Sequence, residues 1–371
     1  MRTRDAVLQY QKGSLGDSGT HIEEINVVDP VSALELEFEA TNGGTSNKGN
    51  FLSDVITKIE IVDGSEVLYS VNLSELEALQ FYKTGQTPAL FPSEWASGIQ
   101  RHNVLLMLGR YLWDQDFAVD FTRFRNPQLK VTYNMAAVLA VGASGFLTNT
   151  LKLSIIAKTM EEMAVKPSKY LMAKQIESFT SVASGDKRID LPTDKVYRLL
   201  MLRAHKQQSD IDEIISDWKL TMDTDKFIPF NRKVKQLDAE VQSRLGRSEL
   251  KHDIFVAHQI AFRELNNKEN SSTAALWENT DGNIIGIQYE WSSEGKLTII
   301  TNAGVAVSTD KKVTMKEDGH ALHATVPYFF GLPLVEGTWF DPRSYKKMEA
   351  VLTQAVASGV CAIVAEQVRA L

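Results

Sequence analysis

Residues 56–71 read Ile56-Thr57-Lys58-Ile59-Glu60-Ile61-Val62-Asp63-Gly64-Ser65-Glu66-Val67-Leu68-Tyr69-Ser70-Val71. Two runs rich in β-branched and aromatic residues flank an Asp-Gly step. Both residues of that step tolerate the positive φ of a tight turn, so the stretch predicts a β-hairpin. Upstream, Leu34, Leu36, Phe38 and Ala40 alternate with Glu35, Glu37 and Glu39, the period of a strand with one wet face. Downstream, Ser74 stands three residues before Glu77, a capping-box spacing that predicts a short helix opening at Ser74.

The same pattern extends outward from this hairpin. Leu105 to Leu108, Phe117 to Phe121, Gln128 to Tyr133 and Leu151 to Ala157 are strand-like runs, broken by the polar turn Asp114-Gln115-Asp116 and by Asn126-Pro127. Roughly seven or eight short strands fall between residues 21 and 160, the density of a sandwich or barrel. Residues 1–20 are polar, with Gly13, Gly16 and Gly19, and are expected to form a loosely held arm. The polar stretch Glu161 to Lys169, with Pro167, places a boundary between a first domain over 21–163 and a second over 164–371.

Past the boundary the pattern restarts. Ile176 to Val182 alternates, Ser184-Gly185-Asp186 turns, and Arg188 to Pro192 leads into Tyr197 to Arg203. Trp218, Leu220 and Met222 alternate with Lys219 and Thr221, ending at Asp223-Thr224-Asp225. Between Arg232 and Arg247 the period changes: Val234, Leu237, Val241 and Leu245 paint one stripe of a helix, with Gly246 as its stop. Ile254 to Leu265 fits helix or strand. Ile284 to Trp291, Lys296 to Ile300, Lys312 to Met315, Glu349 to Thr353 and Val360 to Val368 read as strands. No repeat of 20 to 50 residues is visible, which excludes a solenoid and leaves a duplicated architecture without obvious internal identity.

Length and composition narrow the function. A chain of 371 residues is long enough for two cores. Apolar residues at 43% and charged residues at 23% exclude a disordered or membrane-embedded chain, and the apolar runs, such as Met135 to Val141, are too short to span a bilayer. The start, Met1-Arg2-Thr3-Arg4-Asp5, has no apolar stretch behind it, so no secretory signal is read and folding in a cytoplasm is expected. A net charge of −7 argues against a broad nucleic-acid surface. Arg2 and Arg4 offer at most a local contact.

The devices of catalysis lack their contexts. There is no Gly-x-Gly-x-x-Gly and no phosphate-binding loop, and Gly142-Ala143-Ser144-Gly145 has the wrong spacing for a nucleophile elbow. The lone Cys361, in an apolar run, reads as a small buried hydrophobe. His320 and His323 share metal-ligand spacing but have no third ligand nearby, and Gly-rich surroundings favour a turn. Asp210, Asp212, Glu213, Asp223 and Asp225 suit a cation or nucleotide-sugar site, or more simply solvated strand ends. Trp95, Trp113, Trp218, Trp277, Trp291 and Trp339 serve either as sugar-stacking platforms or as core and interface packing. No catalytic, cofactor-binding or metal-binding residue is assigned, and no enzyme is expected.

Several segments in this order are similar to the double jelly-roll major capsid proteins of tailless icosahedral viruses, an adenovirus-like lineage. They are the Asp63-Gly64 hairpin running into Ser74-Glu75-Leu76, Gly109-Arg110-Tyr111-Leu112-Trp113-Asp114, and Phe124-Arg125-Asn126-Pro127-Gln128-Leu129-Lys130-Val131. In the second half they are Lys187-Arg188-Ile189-Asp190-Leu191-Pro192, Arg198-Leu199-Leu200-Met201-Leu202-Arg203-Ala204 and Ala365-Glu366-Gln367-Val368-Arg369. The resemblance spans residues 21–371. It implies an all-β fold of two eight-stranded jelly-roll barrels side by side, with short helices in the connections. It also implies a homotrimer of pseudo-hexagonal outline tiling an icosahedral shell, penton and minor capsid proteins as neighbours, and in many members an internal membrane. The competing reading is a carbohydrate-binding or adhesin-like double β-sandwich.

Overall fold

The hairpin at Asp63-Gly64 forms as the sequence predicts: β4 (Ile56–Asp63) and β5 (Glu66–Val71) pair antiparallel around Gly64, whose φ is +61°. The structure is a computed structural model. It describes all residues except 14, 45–46, 48–49, 92, 94, 136–144, 207–208, 246–247, 257–261, 267–270, 280–283, 289–295 and 301–310, and between 248 and 320 it describes backbone alone.

The first half runs β1 (Arg2–Lys12), β2 (Ser18–Glu24), β3 (Val31–Thr41), α1 (Leu52–Val55), β4, β5, α2 (Leu73–Thr84), β6 (Ala89–Phe91), β7 (Ile99–Met107), β8 (Pro127–Asn134) and β9 (Lys152–Glu161). The second half repeats the succession. It runs β10 (Lys169–Thr180), β11 (Gly185–Leu191), β12 (Tyr197–His205), α3 (Ile211–Ile214), β13 (Ile215–Met222), β14 (Phe227–Lys233) and α4 (Val234–Leu245). An excursion follows, through β15 (Ser248–Val256), β16 (Phe262–Asn266), β17 (Ser271–Asn279), β18 (Ile284–Gln288), β19 (Lys296–Ile300) and β20 (Lys311–His320). The chain returns as β21 (Thr325–Phe329), β22 (Met348–Gln354) and β23 (Val360–Ala370).

Sheet order exposes the duplication. The first half pairs β1-β9-β3-β7, with β6 beyond β7, and β2-β8-β4-β5; the second pairs β10-β23-β12-β21 and β11-β22-β13-β14. Ranked along each half, both run first-eighth-third-sixth and second-seventh-fourth-fifth. That is the eight-stranded jelly roll, built twice. A short helix precedes the fourth strand and a twelve-residue helix follows the fifth in both halves. The excursion β15 to β20 is inserted between the fifth and sixth strands of the second barrel and makes small sheets of its own.

Apolar alternation fills each barrel. Leu34, Leu36 and Phe38 on β3 meet Ile59 and Ile61 on β4 in one core, while Trp218, Leu220, Leu200, Leu202 and Ile363 form the other. Trp218 is fully buried and meets Phe230 edge-on at 5.3 Å.

Two expectations change. Residues 1–20 do not form a loose arm: Arg2–Lys12 pairs along β9, and Ser18–Glu24 along β8. Its polar composition misled because its outward side chains are wet. The first long helix is capped by Asn72, not Ser74; the Asn72 side chain accepts from the Glu75 amide at 2.8 Å and Glu75 returns the bond to the Asn72 amide at 3.0 Å. The polar turn at Asp114-Gln115-Asp116 forms, with the Asp114 side chain buried beneath Arg110. The stop expected at Gly246 lies outside the described residues; the strand expected at Ile284 to Trp291 is described as far as Gln288.

Candidate functional site: the junction between the barrels

The two barrels meet where β5 lies parallel to β10, with Ser70 opposite Lys174. This single step joins one sheet of each barrel into an eight-stranded sheet. Edge pairing of that length is weak, and side chains carry the contact.

Helix α2 supplies most of them. Glu77 and Lys83 lie on different sides of this helix, and both are buried. Lys83 Nζ lies 2.5 Å from Glu366 on β23 and donates to the Met107 carbonyl at 2.9 Å. Arg198 on β12 takes the other oxygen of Glu366 at 2.6 Å and donates to the Pro333 carbonyl at 2.9 Å. All three side chains are buried. Burial alone would raise the Glu366 pKa, and the two cations more than offset it and hold the carboxyl below its usual range. Lys83 goes down as well, because burial and the charge of Arg198 outweigh its half share of the carboxylate.

One and a half turns earlier on α2, Glu77 bridges two imidazoles. His102 Nδ1 on β7 is 2.7 Å from one oxygen and His323 Nε2 is 2.5 Å from the other. Burial pushes the Glu77 carboxyl up, but the histidines pull it down to about 2. His323 arrives on strained backbone: Ala321, His323 and Ala324 have φ of 51°, 56° and 54°, a left-handed path costing roughly 1–3 kcal/mol per residue. The buried pairing offsets that strain and fixes the entry to β21. Between the two polar clusters, the Tyr82 hydroxyl donates to the Thr325 carbonyl at 2.7 Å.

A second contact lies on the loop after β7. Arg110 forks onto Asp114 at 2.6 and 2.8 Å and onto Asp116 at 2.7 Å. From there it donates to the Leu334 carbonyl of the second barrel at 3.0 Å. Its guanidinium lies 4.7 Å over the Phe117 ring, which in turn packs on Trp339 at 5.7 Å.

The residues singled out in the sequence scatter. His323 is in the junction, whereas His320 ends β20 with only its backbone described. Among the described residues no group of three His, Cys, Asp or Glu is placed to hold a metal ion. Asp210, with Glu213, caps α3, and Asp212 lies within that helix. Asp223 and Asp225 close the β13–β14 turn: Asp223 accepts from the Lys346 and Lys347 amides, and Asp225 accepts from Thr221 and Lys219. Trp218 and Trp339 are buried, Trp95 and Trp113 half-buried; Trp277 is described as backbone only and Trp291 lies outside the described residues. Cys361 is buried, and burial pushes its thiol up to about 12. Arg2 and Arg4 pair with Glu162 and Glu161. Residues 142–144 lie outside the described residues. Among the described residues, no helix is long and apolar enough to cross a membrane.

Sequence reading missed Glu77, His102, Lys83, Arg198 and Glu366 as a unit. Charged residues at positions that pattern as core were the available signal: Glu366 sits in the run Ile363-Val364-Ala365-Glu366.

The strand order, the duplication and the shared sheet define a double jelly roll, the fold of viral major capsid proteins. Among solved structures, the chain is similar to the major capsid protein P2 from bacteriophage PM2, at 10% identity and TM-score 0.53, covering 100% of this chain and 98% of that one. It is similar to the PBCV-1 virus capsid, at 10% identity and TM-score 0.58, covering 100% and 94%. It also matches a chain of Sulfolobus turreted icosahedral virus, at 13% identity and TM-score 0.59, covering 99% and 90%. No family model and no curated protein matches the sequence.

Proposed function

We propose that this chain is a major capsid protein whose copies trimerise into pseudo-hexagonal capsomers and tile an icosahedral shell. The observation that carries the reading is the duplication itself: two barrels of one strand order are locked side by side by a buried polar junction. Three such chains present six similar barrels, which suits a hexagonal lattice. The role is structural, not catalytic, and the division of labour falls between the barrels at residues 163 and 164. Under this reading the chain is made in the host cytoplasm and resides in the virion. Its neighbours there are further copies of itself, penton and minor capsid proteins, and internal membrane lipid where the particle has any.

The carbohydrate-binding alternative rested on the tryptophans, and the rings of Trp218 and Trp339 are spent on packing. Light scattering after size exclusion, followed by electron microscopy of the purified protein, tests the proposal. Three-chain particles of hexagonal outline are expected. A stable monomer that binds glycans on an array would overturn it in favour of the sandwich reading.

A further inference from the structure

Within one chain the junction joins the fifth strand of the first barrel, β5, to the first strand of the second, β10. Because both barrels share one strand order, each chain retains an unused copy of both halves of that junction. The first strand of barrel one, β1, and the fifth strand of barrel two, β14, both lie at free edges of their sheets.

Burial separates the used strands from the unused ones. β10 buries Tyr170, Leu171, Met172 and Ala173, and β5 buries Leu68, Tyr69 and Val71. Along β1 none of residues 2–11 is buried, and Val7 and Tyr10 are 58% and 69% exposed. β14 leaves Phe227 44% and Ile228 41% exposed. Strands of equal rank in the same architecture thus differ in whether another barrel covers them.

We propose that β14 of one chain docks in parallel on β1 of a second copy, repeating between chains the β5–β10 junction made within each. The inference rests on the capsid reading and names the surface through which the copies meet. A contact between two different surfaces closes into a ring when its rotation divides a circle. With three chains, all the barrel-to-barrel junctions of the ring become alike.

The register follows from the internal junction. Lys174 and Ser70, which lie opposite one another, are the sixth residue of β10 and the fifth of β5. Their counterparts are Val7 on β1 and Asn231 on β14, both exposed.

The test is the double variant V7C/N231C in the full chain, with each single variant as control and buried Cys361 left in place. Neighbouring strands bring paired cysteines within disulfide reach. After oxidation, most double-variant chains are expected to run as linked dimers and trimers on a non-reducing denaturing gel, while the single variants stay unlinked. Trimers by light scattering whose double variant remains unlinked overturn this junction and leave the capsid reading standing. Monomers with no linked species overturn both. Should the double variant precipitate, Val7→Glu alone reads the same contact: at least tenfold weaker trimerisation is expected, and an unchanged trimer counts against the proposal.

Discussion

Lys83 and Glu366 face each other at 2.5 Å across the line where the two barrels meet, each fully enclosed, with Arg198 on the far oxygen of the carboxylate. The charge on Glu366 is therefore what makes two buried cations tolerable, and the barrels are held in one relative position by a cluster that cannot be half-assembled.

Removing that anion leaves two cations facing each other. Glu366→Gln is expected to cost roughly 3–5 kcal/mol, read as a drop in the guanidinium midpoint at fixed protein concentration. The combination Lys83→Met with Glu366→Gln should recover a part of it by removing one of the two cations and leaving Arg198 with a neutral acceptor. A single Glu366→Gln variant as stable as the parent would show that the pair does not hold the junction.

The Glu77 bridge gives the chain an acid limit. Its folded-state pKa lies below the value of about 4.3 for a free glutamate, so its contribution is complete above the unfolded value and is lost as pH falls through the folded one, which is about 2. Melting temperature is expected to fall on acidification from about pH 5 toward pH 2, and the Glu77→Gln variant should fall less steeply over the same range. Parallel slopes for the two proteins would dissociate Glu77 from acid sensitivity.

Packing at the Arg110 loop depends on one missing side chain. A Cβ at Gly109 would lie 2.5 Å from the Phe117 carbonyl oxygen and 2.8 Å from the Asp114 Cβ. Gly109→Ala must therefore push apart the loop that presents Arg110 to Leu334, at a cost of roughly 1–3 kcal/mol, measurable by urea titration. Hydrogen exchange at residues 108–118 should accelerate in the same variant.

In the second barrel, Trp218 carries the largest fully buried side chain among the described residues. Trp218→Ala is expected to lower stability by roughly 3–5 kcal/mol, with the loss seen in near-ultraviolet circular dichroism and thermal melting. A change under 1 kcal/mol would mean that the core collapses around the vacancy.

Much of the architecture was legible because a half-buried strand writes its environment into every second residue. Leu34 to Ala40 and the Asp63-Gly64 hairpin needed no neighbour to be read, and the stripe Val234, Leu237, Val241 located α4 from its period alone. β1 was missed for the same reason turned around: with no buried face in a single chain, its sequence has nothing to alternate against.

By itself, then, the sequence determined that this protein is built of strands, in two successive units, with turns and helices at particular places, because those features follow from steric and solvation preferences acting over a few residues. Only the tertiary structure decided that Glu77, Lys83, His102, Arg198, His323 and Glu366 belong together. Their partners come from distant strands, and whether a charge is a wet surface group or a buried lock depends on what the fold lays over it.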